Sequence, residues 1–338
     1  MRLILIGFGV IGQSLTKLLL SKSADLYNIY GIKPRIVACI DNKGAAISSS
    51  GLDLERLLNI KKSKGTVARY SDKKVAMNSL EIIENTEAEI VLELTPTNLE
   101  NAEPGLSHLI SAMRSGKHII TANKGPLSLA LPSLLELADY NGIMFRFSGT
   151  VGGGTPILEY AKHCLKGDRI ISFRGILNGT TNYILSKMET GLDFKQALSD
   201  AQKNGYAEAK PSLDVDGYDA AAKLVIMANW IMGMKVTMKN VNMFGISKIT
   251  LDDINKAKNK KCAIKLIASC ENKVLEVKPI EIDINDPICV DGTLNAVKFT
   301  LEHAGEQTII GKGAGGIETA SAVLRDMIEI RDNIINKI

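Results

Sequence analysis

The chain reads as an α/β protein with a doubly wound parallel sheet followed by a second, α+β region. Three features predict this. The amino terminus runs strand, glycine turn, helix. Short apolar runs then alternate with helical patterns to about residue 147, the signature of βαβ units. Beyond a glycine-rich stretch at 148–156 the character changes, and longer strand-like runs follow from residue 262.

Residues 2–6 form the first apolar strand. Gly7-Phe8-Gly9-Val10-Ile11-Gly12 follows at once, and helical spacing begins at Gln13. In this setting Gly7 permits the tight turn, Gly9 lets a pyrophosphate approach the backbone, and Gly12 lets helix and strand pack closely. The helix amino terminus offers N–H groups and a positive dipole end to phosphates. The bland alternative is a tight βα turn with no ligand. The strand–helix context favours a dinucleotide site, with the whole segment Gly7 to Gly12 at the cofactor.

A second strand at 35–40 ends in Asp41, an acid placed to hold adenine ribose hydroxyls. Asp41 lies 29 residues past Gly12, later than the usual spacing of about 20, and an insertion over 25–34 accounts for the delay. Asp41 argues for NAD by repelling a 2′-phosphate. Lys43 offsets that repulsion and would admit NADP, so the choice stays open.

Further strands at 89–94, 118–123 and 143–147 alternate with helices at 103–115 and 132–140. Ligands of such sheets bind beyond the strand carboxyl ends, which places Thr95, Asn123 and Lys124 at the cofactor or substrate. The glycines of 148–156 imply close backbone approach. Their carbonyls suit a hard cation and their N–H groups an anion, and a flexible hinge is the alternative. Next come a strand at 169–177 and a helix led by Asn178-Gly-Thr-Thr-Asn182, with Thr180 or Thr181 as its cap. Runs at 262–270, 273–281 and 295–301 read as antiparallel strands. Gly311 to Ala320 opens a last helix, expected to pack back on the first sheet with Gly315 near the nicotinamide. The expected organisation is a dinucleotide-binding domain over 1–147, joined by helix 316–338, and a catalytic and dimerisation region over 148–315.

The segment from Asn204 to Lys223 is the most informative. It gathers Glu208, Asp214, Asp216 and Asp219 in a loop punctuated by Gly205, Pro211 and Gly217. A buried-looking helix follows, and it carries Lys223 one turn after Asp219. An exposed ion pair with solvated acids is the bland reading. The Ala, Leu, Val and Ile residues around Lys223 argue for a buried lysine, which needs a partner or a function.

Composition excludes several classes. The 338 residues are 45% hydrophobic and 23% charged, with a net charge of +4, ordinary for a soluble globular protein and too weakly basic to imply nucleic acid or a membrane surface. No apolar run suits a signal peptide or a bilayer span. The five cysteines (Cys39, Cys164, Cys262, Cys270, Cys289) are odd in number and form no CxxC pair, which fits free thiols in a reducing cytoplasm. The four histidines are scattered without metal-ligand spacing.

Taken together, GFGVIG, TANKGPLS, SGTVGGGTP, RGILNGTTNYIL, NGYAEAKPSLDVDGYDAAAKLVIMAN and GKGAGGIETASAVLRD resemble the homoserine dehydrogenase family, in order and over nearly the whole chain. The resemblance implies a Rossmann domain, a dimerisation region and a catalytic region on a mixed sheet. It implies reversible NAD(P)H-dependent reduction of aspartate 4-semialdehyde to homoserine, on the route to threonine, methionine and isoleucine, in a homodimer. It makes Lys223 the general acid/base and Lys124 a second active-site lysine near cofactor and substrate. Glu208 and Asp219, with Asp214, hold the substrate; Thr95, Gly205 and Gly315 approach the cofactor. The carbonyls of Val151, Gly153 and Thr155 match a sodium site, although Ser148 stands where some relatives carry an acid. Neither a fused aspartokinase nor a carboxyl-terminal regulatory domain is expected.

The chemistry agrees, because a hydride added to an aldehyde leaves an alkoxide that a lysine can protonate. Two rivals are another Rossmann dehydrogenase of a small amino acid or semialdehyde, acylating a cysteine, and a non-catalytic NAD(H) sensor. The first needs a cysteine at an exposed turn near a histidine, and none here fits well; the second leaves the acidic loop and Lys223 without a purpose. Replacing the cysteines by alanine or serine is therefore expected to leave turnover within a few-fold in folded protein. Loss of turnover on one cysteine change, measured by steady-state kinetics, would contradict a lysine mechanism.

Overall fold

Alternating strands and helices build the first of two units, Met1–Thr150 with Gly315–Ile338. The structure is a computed structural model that describes residues 1–71 and 78–335. The elements are β1 (Arg2–Ile6), α1 (Val10–Ser21), α2 (Ser23–Asn28), β2 (Arg35–Asp41), β3 (Gly44–Ile47), α3 (Leu54–Lys64), α4 (Ser79–Asn85), β4 (Ile90–Glu93), α5 (Gly105–Arg114), β5 (His118–Thr121), α6 (Lys124–Tyr140) and β6 (Phe145–Arg146). The strand order is β3-β2-β1-β4-β5-β6. All neighbours pair in parallel except β3, which returns antiparallel on β2. The winding reverses between β1 and β4, so the crevice beyond their carboxyl ends is the ligand position of this fold. Leu3 to Ile6 and Ile90 to Glu93 are buried throughout, as a sheet covered on both faces requires.

Local chemistry sets the element ends. Helix α6 starts at Lys124, not at 132 as expected, because the Asn123 side chain accepts from the Gly125 N–H and caps it. It kinks at Ala130 (φ −143°), just ahead of Pro132, whose missing N–H interrupts the helical ladder. The expected insertion at 25–34 contains most of α2.

The second unit, Val151–Ala314, holds α7 (Ile157–Glu159), β7 (Ile170–Ile176), α8 (Gly179–Glu189), α9 (Phe194–Lys203), α10 (Ser212–Val215), α11 (Tyr218–Met232), β8 (Val241–Met243), α12 (Leu251–Asn259), β9 (Cys262–Glu271), β10 (Val274–Asp283), β11 (Leu294–Leu301) and β12 (Glu306–Lys312). Its sheet runs β12-β11-β7-β9-β10-β8. The pairs are antiparallel except β8 with β10, so the sheet is mixed. Helix α11 is its buried helix: every residue from Ala220 to Asn229 is buried. It is bounded by Gly217 and Gly233, both in the left-handed region (φ 92° and 64°).

Helix α13 (Gly316–Ile335) then returns to the first unit. Val323, Met327 and Ile330 join Leu15 and Leu19 of α1 in its core. The helix begins at Gly316, and residues 306–312 before it pair as β12. Residues 336–338 of the expected helix lie outside the described residues.

The reading of Asp41 as a ribose ligand is also corrected. Its carboxylate is 4% exposed. One oxygen accepts from the Lys43 N–H (3.0 Å) and the Thr66 hydroxyl (2.9 Å), the other from the Lys61 ammonium (2.7 Å) and the Val67 N–H (2.9 Å). These fill the acceptor positions of a carboxylate and leave none for a ribose diol. Burial pushes the Asp41 carboxyl up, but Lys61 and the other donors outweigh it and hold the group below its ordinary value. Such a group stabilises the fold above the unfolded pKa of about 3.9 and stops doing so as pH falls through the folded value. Asp41→Asn is therefore expected to cost on the order of 2 kcal/mol at neutral pH, with the deficit shrinking below about pH 4. Unfolding across a pH series tests this; a deficit independent of pH would contradict it.

Candidate functional site

In the first unit the carboxyl ends of β1, β4 and β5 meet at backbone level. Gly7 turns with φ 96°, and a Cβ there would lie 2.4 Å from the Leu94 carbonyl oxygen and 2.8 Å from the Thr95 nitrogen. Only glycine permits both the turn and that approach. The next strand end is organised by Glu93, which is fully buried. Its carboxylate accepts from the Thr95 hydroxyl and N–H and from the Thr121 hydroxyl. Asn123 donates to the Thr95 hydroxyl at 3.1 Å, and the Lys124 N–H donates to the Thr97 hydroxyl at 3.3 Å. Thr95, Asn123 and Lys124 thus stand on one hydrogen-bonded edge. Glu93 escapes sequence reading because an acid inside an apolar strand looks like the strand's polar end.

Within Gly7 to Gly12 the roles divide. Phe8 is a core side chain, Ile11 packs partly on the same core, and Val10 is exposed. Gly9 precedes α1 with no side-chain cap, and a Cβ on it would meet nothing within 4 Å. Gly316, at the start of α13, sits against Val10, where a Cβ would come 2.5 Å from its Cγ1; Gly315 beside it has φ 131°. Gly7→Ala is therefore expected to lose roughly 1–3 kcal/mol of stability from strain alone. Gly9→Ala should melt like the parent yet bind dinucleotide more weakly. Thermal unfolding and cofactor titration separate the two; a Gly9→Ala protein with parental affinity would contradict the reading.

In the second unit the structure brings Asp214, Asp219 and Lys223 together. The Lys223 side chain is 8% exposed and its ammonium lies 2.7 Å from an oxygen of Asp219, itself 17% exposed. The same ammonium donates to the Leu177 carbonyl at 2.7 Å. That carbonyl also accepts from the buried Asn295 side chain at 3.1 Å. Asn178 is the cap of α8, accepting from the Thr181 N–H at 2.8 Å, which corrects the expectation of Thr180 or Thr181. Its amide nitrogen donates to Asp214 at 2.7 Å and to Asp219 at 2.9 Å. Asp219 stands in the first turn of α11, where the helix dipole favours a negative charge. Asn178 and Asn295 are functional candidates that the sequence reading passes over.

Glu208 and Gly205 lie in the exposed loop after α9, with Gly205 at φ 74°. The loop is tied back by Gln202, whose amide donates to the Glu208 carbonyl (3.0 Å), and by Thr180, whose hydroxyl donates to the Tyr206 carbonyl (2.7 Å). The Glu208 carboxylate stands outside the Asp214–Asp219–Lys223 network. Asp216 is exposed and accepts from the Ser247 hydroxyl.

At the expected cation loop, Gly152 and Gly153 have positive φ (81° and 53°). The Thr155 carbonyl accepts from the Ile157 N–H at 2.8 Å, and the Thr155 hydroxyl donates to the Lys312 carbonyl at 3.2 Å. In the first unit, Ser148 gives its N–H and hydroxyl to the buried Asp326. Burial pushes the thiol of Cys39 well up and that of Cys270 to about 11, far from nucleophilic settings. A groove of about 510 Å³ between α12 and the β9–β10 pair, floored by Ile249, Ile264 and Ile280, contains none of these residues.

Comparison with known proteins places the chain. The family profile "Homoserine dehydrogenase, NAD binding domain" matches residues 7–148, and "Homoserine dehydrogenase" matches 156–328. The homoserine dehydrogenase of Methanocaldococcus jannaschii is 44% identical over 331 residues, covering 98% of each chain. An NAD(+)-dependent homoserine dehydrogenase of Pseudomonas canavaninivorans is 37% identical, over 99% of this chain and 97% of its own. Among solved structures, a hyperthermophilic archaeal homoserine dehydrogenase in complex with NADPH superposes with a TM-score of 0.87 at 26% identity, covering 98% of each chain. A homoserine dehydrogenase from Thiobacillus denitrificans gives 0.84 at 30% identity, over 98% of this chain and 73% of its own. With its dinucleotide turn and its buried lysine–carboxylate cluster, the chain belongs to the homoserine dehydrogenase family.

Proposed function

We propose that Lys223 delivers the proton to the alkoxide formed when hydride reduces aspartate 4-semialdehyde, and removes it in the reverse direction. The observation that carries this is the Lys223 ammonium held at 2.7 Å by both Asp219 and the Leu177 carbonyl in a buried setting. A general acid must be oriented as well as protonated, and these two acceptors orient it. Asp219, Asp214 and the exposed Glu208 supply negative charge for the substrate ammonium through charge-assisted hydrogen bonds. Lys124, at the start of α6, serves as the second lysine.

The cofactor supplies the hydride. Gly7, Gly9 and Gly12 would hold its pyrophosphate, with Thr95 and Gly315 of the same unit approaching it. Both dinucleotides are taken. The charge of Asp41 is compensated by Lys61, and Lys43 is exposed beside it, so no uncompensated acid repels a 2′-phosphate. A relative that uses NAD(+) and a neighbour that holds NADPH support this breadth. The carbonyls of Val151, Gly153 and Thr155 are neutral hard oxygens of the kind that hold sodium, and the positive φ of Gly152 and Gly153 fits a tightly turned loop. The same reading makes the protein a cytoplasmic homodimer serving threonine, methionine and isoleucine synthesis. Among the described residues no helix is long and apolar enough to cross a membrane.

Lys223→Met keeps the length and removes the proton, so turnover should fall about 10²–10⁴-fold with dinucleotide affinity unchanged. Glu208→Gln should instead raise KM for homoserine. Steady-state kinetics with cofactor titration tests both; near-parental turnover in Lys223→Met would move the proton donor elsewhere, with Lys124 the first alternative.

A further inference from the structure

We propose that Asn178 is the positioning residue of the proton-transfer site, holding Asp214 and Asp219 with one side-chain amide and, through Asp219, aiming the Lys223 ammonium. The inference rests on Lys223 being the proton donor. Asn178 has two separable duties. Its side-chain oxygen caps α8, accepting from the Thr181 N–H at 2.8 Å and from the Thr181 hydroxyl at 3.0 Å. Its side-chain nitrogen donates to Asp214 (2.7 Å) and to Asp219 (2.9 Å). A cap needs only the oxygen.

The nitrogen does something a cap does not require. Two carboxylates sharing one donor are like charges brought close, an arrangement that costs free energy unless donors compensate it. The amide compensates both while leaving each with further acceptor capacity. The oxygen of Asp219 bonded to Asn178 is also the one at the Lys223 ammonium. The amide and the ammonium therefore fix that oxygen from two directions. The carbonyl of Leu177, adjacent to Asn178 in the chain, takes the same ammonium. Residues 177 and 178 thus fix the lysine twice, once through the backbone and once through the side chain. Asn295 braces the Leu177 carbonyl from a third side. Without the amide, Asp219 can turn away from Asp214 and carry the ammonium with it. A displacement near 1 Å in a reacting group can cost about 10²-fold in rate.

The test separates cap from amide. Asn178→Ala removes both duties. Asn178→Ser and Asn178→Thr keep a capping oxygen and remove the amide. Melting temperature, kcat, and KM for homoserine and for dinucleotide are measured on each, with Lys223→Met in parallel. Asn178→Ala should melt lower. Asn178→Ser or Asn178→Thr, whichever folds better, should recover the melting temperature while kcat stays down about 10²-fold and KM for dinucleotide is unchanged. If a capping variant recovers both melting temperature and kcat while Lys223→Met is inactive, Asn178 is only a cap and the proposal is overturned with the lysine mechanism intact. If Lys223→Met keeps parental turnover, the proposal falls together with the reading it rests on.

Discussion

The structure of the second unit depends on the burial of one ammonium group. Lys223 sits in the middle of a helix whose residues 220–229 are all buried. Removing an ammonium from water costs several kcal/mol unless partners replace the lost hydration. Two partners do so, the Asp219 carboxylate one helical turn earlier and the Leu177 carbonyl at the end of β7. The first can be supplied by α11 alone. The second requires β7 to stop next to α11, and the turn into α8 to begin there. The Asn178 cap, the left-handed Gly217 that starts α11 and the Asn295 brace on β11 all serve that junction. A buried charge with fixed acceptors has one orientation.

The cofactor half is governed by backbone approach. Gly7 must bring the end of β1 against the Leu94–Thr95 peptide, and Gly12 must let α1 pack back on Gly7, where a Cβ would come 2.4 Å from the Gly7 oxygen. Gly9 has no such neighbour. The protein's own packing leaves room for a side chain there. The buried Glu93 performs for the β4 and β5 ends what Asn178 performs for the turn between β7 and α8, since one polar group fixes several others by hydrogen bonds. Such buried networks are specific when fully satisfied.

The features most legible in the sequence are those with a strong local cause. The 2–12 segment shows strand, glycine turn and helix because Gly7 and Gly12 each meet backbone too closely to carry a side chain. Lys223 is legible as a buried lysine because its neighbours are apolar, and Asp219 because it sits one turn away. What escapes is set by partners distant in sequence. Asn178, Thr180 and Thr181 are all competent caps, and only the fold decides that Asn178 caps while its amide reaches residues 214 and 219. A strand-end acid such as Asp41 looks the same whether it faces a ribose or its own chain's donors. Strand β3 is short and carries two alanines, a weak strand signal. Strand β12 runs into the glycines that suggest a helix start. Glu208 is legible as part of an acidic loop, but its exposure is a property of the loop's path.

The central claim is that a dinucleotide cradle and an oriented buried lysine make this chain a catalyst for homoserine. The most direct measurement is hydride transfer itself: purified protein is incubated with homoserine and NAD or NADP, nicotinamide reduction is followed, and the product is trapped as the semialdehyde. The account predicts reduction of the dinucleotide matched mole for mole by aspartate 4-semialdehyde. Dinucleotide binding without homoserine-dependent reduction, in folded protein, would contradict it.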